Sequence, residues 1–239
     1  MSDKRYIIDA FTEISSRYEQ VVDGELQRFW GWSYDSFVEN LVQSTPLGEH
    51  DRVLDVASGT AVIPLKLVSR GKTSGQIIGL DITYAMLQKG QQKIEKRKAA
   101  QIISLVCGNA MIMPFQNGQF DVILCGLATH HLDVAVLLSE MNRLLRPGGR
   151  LTIADVGGSS AWRTPLVSGL IRAGTFLYFL PKEGYARARA EAGALSNVLT
   201  PDEWAGSLKD SHFENIQVEQ LPKSHSWAPA PLLIRATKE

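Results

Sequence analysis

The sequence is short of cysteine, of uncompensated charge and of long apolar runs, and each shortage narrows the reading. Its 239 residues include two cysteines, Cys107 and Cys125, each inside an apolar stretch. A secreted disulfide framework needs more of them at patterned spacings, so a reducing, cytoplasmic setting is expected. Lys and Arg number 25 and Asp and Glu 25, a formal net charge of zero. No basic excess is left to release counterions from a nucleic acid, and such partners are not expected. The most apolar helix-like run, Pro165 to Leu180, is interrupted by Arg172 and falls short of the ~20 residues that span a bilayer. Residues Met1 to Arg5 lead into an amphipathic stretch and not an apolar h-region, so neither a signal peptide nor an integral membrane segment is expected. No internal repeat or low-complexity tract is visible. No His, Cys or Glu cluster has metal-ligand spacing, so no metal is expected in the reaction.

What is present describes a folded α/β chain. Hydrophobic residues make up 44% and charged residues 21%, both near globular averages, and the length suits a single domain over 1–239. From Ile7 to Val42 apolar residues recur at helical spacing, with a break expected around Gly24, Gly31 and Trp32, giving a helical cap over residues 1–45. From Arg52 short apolar runs (Val53–Ala57, Gln76–Asp81, Ile102–Cys107, Phe120–Cys125, Arg150–Asp155) alternate with helical patterns, the signature of parallel βαβ units. Residues 157–200 turn helical and irregular, with scattered glycines, and read as a mobile lid. Thr200-Pro201-Asp202-Glu203 predicts a helix start with a capping box. Asn215–Leu221 and Leu232–Thr237 lie too close for a crossover helix and must pair antiparallel. The run Lys89, Lys93, Lys96, Arg97, Lys98 reads as a solvated helix face.

Val53-Leu54-Asp55-Val56-Ala57-Ser58-Gly59-Thr60-Ala61 carries a buried strand into a small-residue turn and then a helix, which lets backbone approach a nucleotide-like ligand closely. Asp81 ends the next strand about 20 residues on, where a carboxylate accepts ribose hydroxyls. Small residues in such a turn also serve plain helix–strand packing, and a dinucleotide-binding dehydrogenase would use the same two features. The acid ahead of the turn discriminates. Asp55 would repel a pyrophosphate and attract an ammonium group, which suits a cationic amino-acid cofactor.

In this order and spacing the motifs resemble class I S-adenosylmethionine-dependent methyltransferases, in particular the ubiquinone/menaquinone C-methyltransferase family. Asp55 to Thr60 stands at the first motif, Asp81 at the ribose-binding acid and Cys107-Gly108-Asn109-Ala110 beside the adenine. Pro114-Phe115, Phe120-Asp121-Val122-Ile123 and Leu145-Arg146-Pro147-Gly148-Gly149-Arg150-Leu151 continue the family's sequence. The resemblance covers Ile7 to Asp155 and the C-terminal strand pair. It implies a Rossmann-like, doubly wound, seven-stranded, mostly parallel sheet with an antiparallel last strand. It also implies S-adenosylmethionine as cofactor, held by Tyr18, Asp55, Ala57, Gly59, Thr60, Asp81, Ile82, Met86, Asn109, Ala110 and Gly126. Tyr18 and Trp30 stand between cofactor contact and helix packing, and Asp155 between substrate and solvent. Two departures stand out: Ala61 replaces the last glycine of the first motif, and Thr129-His130-His131 replaces the Arg-Asn pair that quinone methyltransferases carry after the fourth strand. The resemblance implies methylation of carbon or oxygen on a small hydrophobic or aromatic acceptor, with His130 or His131 as base. The apolar run from Leu166 to Leu180 is expected to face that acceptor. The alternative is a noncatalytic cofactor-binding protein of the same fold.

Overall fold

The computed structural model describes residues 2–71 and 75–239, with side chains from residue 5 onward. The helical cap comprises α1 (Ser2–Ile14), α2 (Tyr18–Trp30) and α3 (Tyr34–Gln43). Its break falls at residues 15–17 and at Gly31, whose φ of 76° ends α2; Gly24 lies inside α2 and interrupts nothing. Then follow β1 (Val53–Val56), α4 (Val62–Ser69), β2 (Ile77–Asp81), α5 (Tyr84–Lys96), β3 (Ile103–Cys107), β4 (Phe120–Gly126), α6 (Val134–Leu144) and β5 (Leu145–Val156). The chain closes with α7 (Pro165–Ala194), α8 (Pro201–Asp210), β6 (Phe213–Gln220) and β7 (Pro231–Lys238).

The seven strands form one sheet in the order β3-β2-β1-β4-β5-β7-β6. β7 pairs antiparallel with both β5 and β6, so it alone runs against the other six. Every residue of β1 and β2 is buried, because helices cover both faces and strands so placed read as continuous apolar runs. One face packs on α6 and α8 through Leu137, Met141, Trp204 and Leu208. The other packs on the cap, α4 and α5 through Phe37, Leu41, Leu67 and Ile94. The capping box of α8 forms as its sequence predicts: Glu203 N–H donates to Thr200 Oγ1 at 3.2 Å and Thr200 N–H to Glu203 Oε2 at 2.8 Å.

The 157–200 segment is more regular than its composition suggests. α7 is helical along its length except at Gly184, whose φ of 79° and ψ of 178° break it in two, and it leans on α1. Its leucines turn to solvent, against the expectation that they face an acceptor. Leu166, Leu170 and Leu177 are 76%, 66% and 67% exposed, and of the run only Phe179 is buried.

Cys107 lies on β3, exposed, and Cys125 on β4, buried, with β2 and β1 between them. Three strand steps of about 4.8 Å separate them by roughly 14 Å, far beyond disulfide range. Burial pushes the Cys125 thiol well above its ordinary range. A thiol reagent should therefore modify Cys107 in the native protein and both cysteines after unfolding without reductant. Finding no titratable thiol would contradict this strand order.

Candidate cofactor and active site

The strand order reverses between β1 and β4, and ligands of open α/β sheets bind beyond the C-terminal strand ends at such a point. Here the β1–α4 turn rises in a left-handed conformation at three residues: Ala57 (φ 58°), Gly59 (φ 54°) and Ala61 (φ 60°). A non-glycine residue there costs about 1–2 kcal/mol. Position 61 thus does require positive φ, and the chain carries the strain of an alanine there and at 57. Strain held at a ligand-facing turn is a mark of function.

Beside this turn opens a cavity of about 370 Å³. Ala57 and Gly59 form its floor, with Asp81, Ile82 and Met86 on the β2 side and Asn109 and Ala110 after β3. Gly126 and His131 close it on the β4 side, and Tyr18 reaches in from α2. These are residues expected to hold the cofactor or assist its reaction. Asp81, 8% exposed, accepts Gly59 N–H at Oδ2 (2.9 Å) and Thr83 N–H at Oδ1 (2.7 Å). Burial raises its pKa despite these bonds. Each oxygen keeps a lone pair, so the same carboxylate that ties the turn to β2 is able to accept ligand hydroxyls. The donor set of strained backbone, one carboxylate and apolar walls fits a nucleoside carrying an amino-acid tail. A Cβ at Gly59 would stand 3.2 Å from Met86 Cε, which is why the closest approach is glycine.

Three expected site residues do not line this cavity. Asp55 is fully buried one residue inside β1, with both oxygens unpartnered among the described residues. Desolvation raises its pKa to about 7; the helical cap, with Tyr34 close by, covers it. Thr60 points toward α2 and α5, where its Oγ1 donates to Glu19 at 2.8 Å and accepts from Lys93 at 3.0 Å. Lys93 is correspondingly part of this half-buried link and not only a solvated face. His130 turns behind the wall, its Nδ1 2.6 Å from Asp155 Oδ1. Trp30 is core, with Nε1 donating to Pro229 O at 2.8 Å.

Asp155 is turned from solvent and does not line the cavity. At 1% exposure it accepts the N–H groups of Thr129 (2.7 Å) and His130 (3.2 Å), the Thr129 hydroxyl and the His130 ring. Burial alone would raise its pKa, but these partners hold it below the usual carboxylate range. Burial likewise pulls His130 down, and the Asp155 charge outweighs it, so His130 sits above the ordinary histidine value. His131 goes the other way, lowered by burial and then by its neighbour's charge. Its ring lies 4.2 Å from that of His130 and edge-on to Phe11 at 5.4 Å.

Sequence reasoning missed the far side of this wall. His131 Nε2 is 3.4 Å from Glu191 Oε1, and the buried Arg187 lies 3.0 Å from Glu191 and 3.3 Å from Glu25. Desolvation raises Glu25 to about 7. The i,i+4 spacing of Arg187 and Glu191 after the Gly184 break was the available signal. The same fold brings ligand atoms of His130, His131 and Glu191 within 4.8 Å of one another, correcting the expectation that no such cluster forms. Spacing along the chain could not see it, since α7 supplies the carboxylate. Arg187 beside it opposes a second cation there.

A doubly wound sheet with a strained acid-flanked turn and a histidine at the mouth of β4 defines a Rossmann-like group-transfer enzyme built around a nucleoside cofactor. The chain belongs to the ubiE/COQ5 methyltransferase family, whose sequence profile matches residues 1–183. A demethylmenaquinone methyltransferase from Staphylococcus carnosus is 32% identical over 92% of this chain and 90% of its own. One from a Geobacillus species is 28% identical over 97% and 96%. The geranyl diphosphate C-methyltransferase of Streptomyces coelicolor, solved with Mg²⁺, geranyl diphosphate and S-adenosylhomocysteine, shares the fold. Its TM-score is 0.68 at 16% identity, covering 93% of this chain and 84% of that one. The protein is a methyltransferase, and S-adenosylmethionine is its cofactor. Among the described residues no helix is long and apolar enough to cross a membrane.

Proposed function

We propose that this enzyme acts in the cytoplasm and methylates carbon or oxygen of a small hydrophobic or aromatic acceptor, with His131 as the base. One observation carries the reading: His131 lines the cavity, and its buried Nδ1 has no partner among the described residues. Glu191 beside Nε2 favours the tautomer protonated there, which leaves the Nδ1 lone pair to accept a proton. The depressed pKa keeps this imidazole neutral at cytoplasmic pH. His130, its pKa raised by the Asp155 carboxylate to which it is tied, sets the wall on which His131 stands. Glu191 then steadies the imidazolium that forms. Bound S-adenosylmethionine supplies an electrophilic methyl group. Asp81, Asn109 and the turn would hold its nucleoside. Apolar walls favour a transfer in which positive charge disperses, and positioning contributes much of the rest. The curated relatives are named for demethylmenaquinone, which supports a hydrophobic ring acceptor; the Thr129-His130-His131 run is where this chain parts from a quinone enzyme.

Acceptors found by scanning hydroxylated aromatic compounds with methyl-labelled S-adenosylmethionine allow the test. The base works only when neutral and its pKa is lowered, so kcat/KM should rise with pH through a midpoint below 6.5 and then stay level. A profile flat through the acid range, or rising only well above 6.5, would contradict His131 as base.

A further inference from the structure

The outer side of α7 is apolar where a helix flanking a sheet is normally polar. Leu166, Leu170 and Leu177 stand mostly in solvent, and Gly169, Ala173, Leu180 and Pro181 are exposed with them. Their spacing of three and four residues sets them in one stripe along the helix, roughly 21 Å long at about 1.5 Å per residue. Such a stripe turned to solvent marks a contact surface. Helical phase puts Arg172 on one margin of it and Tyr178 and Lys182 on the other.

Charge says what the surface meets. In a chain whose 25 cations balance 25 acids, Val156 to Lys182 holds no Asp or Glu but does hold Arg163, Arg172 and Lys182. The next acid, Glu183, turns inward to Arg17 at 2.9 Å. The Lys182 margin is also aromatic: its ammonium lies 3.5 Å over the Tyr178 ring. Phe29 links that ring to Trp227 through centroid distances of 5.9 Å on each side, and Trp227 is 67% exposed. Leucines flanked by cations and by Tyr and Trp match the boundary of a lipid layer with anionic headgroups. A second copy packed antiparallel across the stripe, centred on Ala173, would set Arg172 against Arg172 with no acid between them.

We infer that the outer face of α7 docks on a membrane surface carrying anionic phospholipid, its leucines entering the boundary of headgroup and acyl chain and Arg172 and Lys182 meeting phosphates. The helix lies on the surface and does not span it. Beyond Gly184 the same helix supplies Arg187 and Glu191 to the wall of His131, so lipid contact and active site share one element. The inference does not depend on which acceptor is methylated.

The test is co-sedimentation of the full chain with sucrose-loaded vesicles, one set of phosphatidylcholine alone and one with about a third phosphatidylglycerol. The chain should partition onto the anionic set more strongly, by about fivefold for each cation engaged. A variant carrying both Leu170→Ser and Leu177→Ser should lose at least about tenfold in partitioning, since burying one leucine is worth roughly that much. Arg172→Gln should lose about fivefold on the anionic vesicles and nothing on the neutral ones. All three positions are exposed, so the variants should fold, and unchanged S-adenosylhomocysteine binding by calorimetry reports that they do. The comparison of the two vesicle sets with the unsubstituted chain stands even where a variant fails to fold. No sedimentation with anionic vesicles, equal sedimentation with both sets, or a folded double-serine variant that partitions as well as the unsubstituted chain would overturn the inference. A dimer in analytical ultracentrifugation that the double-serine variant turns into monomer would assign the face to a second copy and overturn it as well.

Discussion

Replacing His131 with alanine should lower kcat by about 10²–10⁴-fold, the usual loss when a general base is removed, while KM changes little. The imidazole lines the cofactor cavity, and its Nδ1 has no partner among the described residues, so the main loss on its removal is a proton acceptor. His130→Ala should behave differently. It strips the buried Asp155 of its ring partner, and breaking such a pair costs roughly 3–5 kcal/mol, so its first effect is on thermal unfolding. Comparing kcat and melting temperature for the two variants separates base from support. A His131→Ala enzyme with near-native kcat would leave positioning and desolvation to carry the reaction alone.

Asp81→Ala should weaken S-adenosylhomocysteine binding at least 10–150-fold, the equivalent of a charged hydrogen bond worth about 1.5–3 kcal/mol. The structure gives reason for the upper part of that range. The carboxylate also holds Gly59 N–H and Thr83 N–H, so its loss frees the strained turn as well as removing the proposed ribose acceptor. Asp81→Asn should recover only part of the affinity, because its amide group faces one backbone donor with another. Calorimetry on both variants decides the matter, and unchanged affinity in Asp81→Ala would remove this residue from the site.

Most of the fold was legible because strands buried on both faces leave continuous apolar runs and a turn between strand and helix needs small residues. Asp81 was legible for the same reason: a strand end beside such a turn has a defined place. Side-chain direction was not. Asp55 and Thr60 belong to the right motif, yet packing of the cap and a link to Glu19 turn them from the cavity. Of two adjacent histidines only His131 faces it, a choice made by Asp155 capturing its neighbour. Arg187 and Glu191 offered only an i,i+4 signal, which does not say which side of α7 meets the site. The outward turn of Leu166, Leu170 and Leu177 was equally unmarked in the sequence.

The account turns on which way the cofactor lies. A crystal structure with S-adenosylhomocysteine bound tests it most directly. The ribose hydroxyls should donate to Asp81, the adenine should lie beside Asn109 and Ala110, and the thioether sulfur should point to the wall formed by His131. A sulfur directed away from His131, or a ligand that leaves Asp81 and Asn109 without contact, would contradict it.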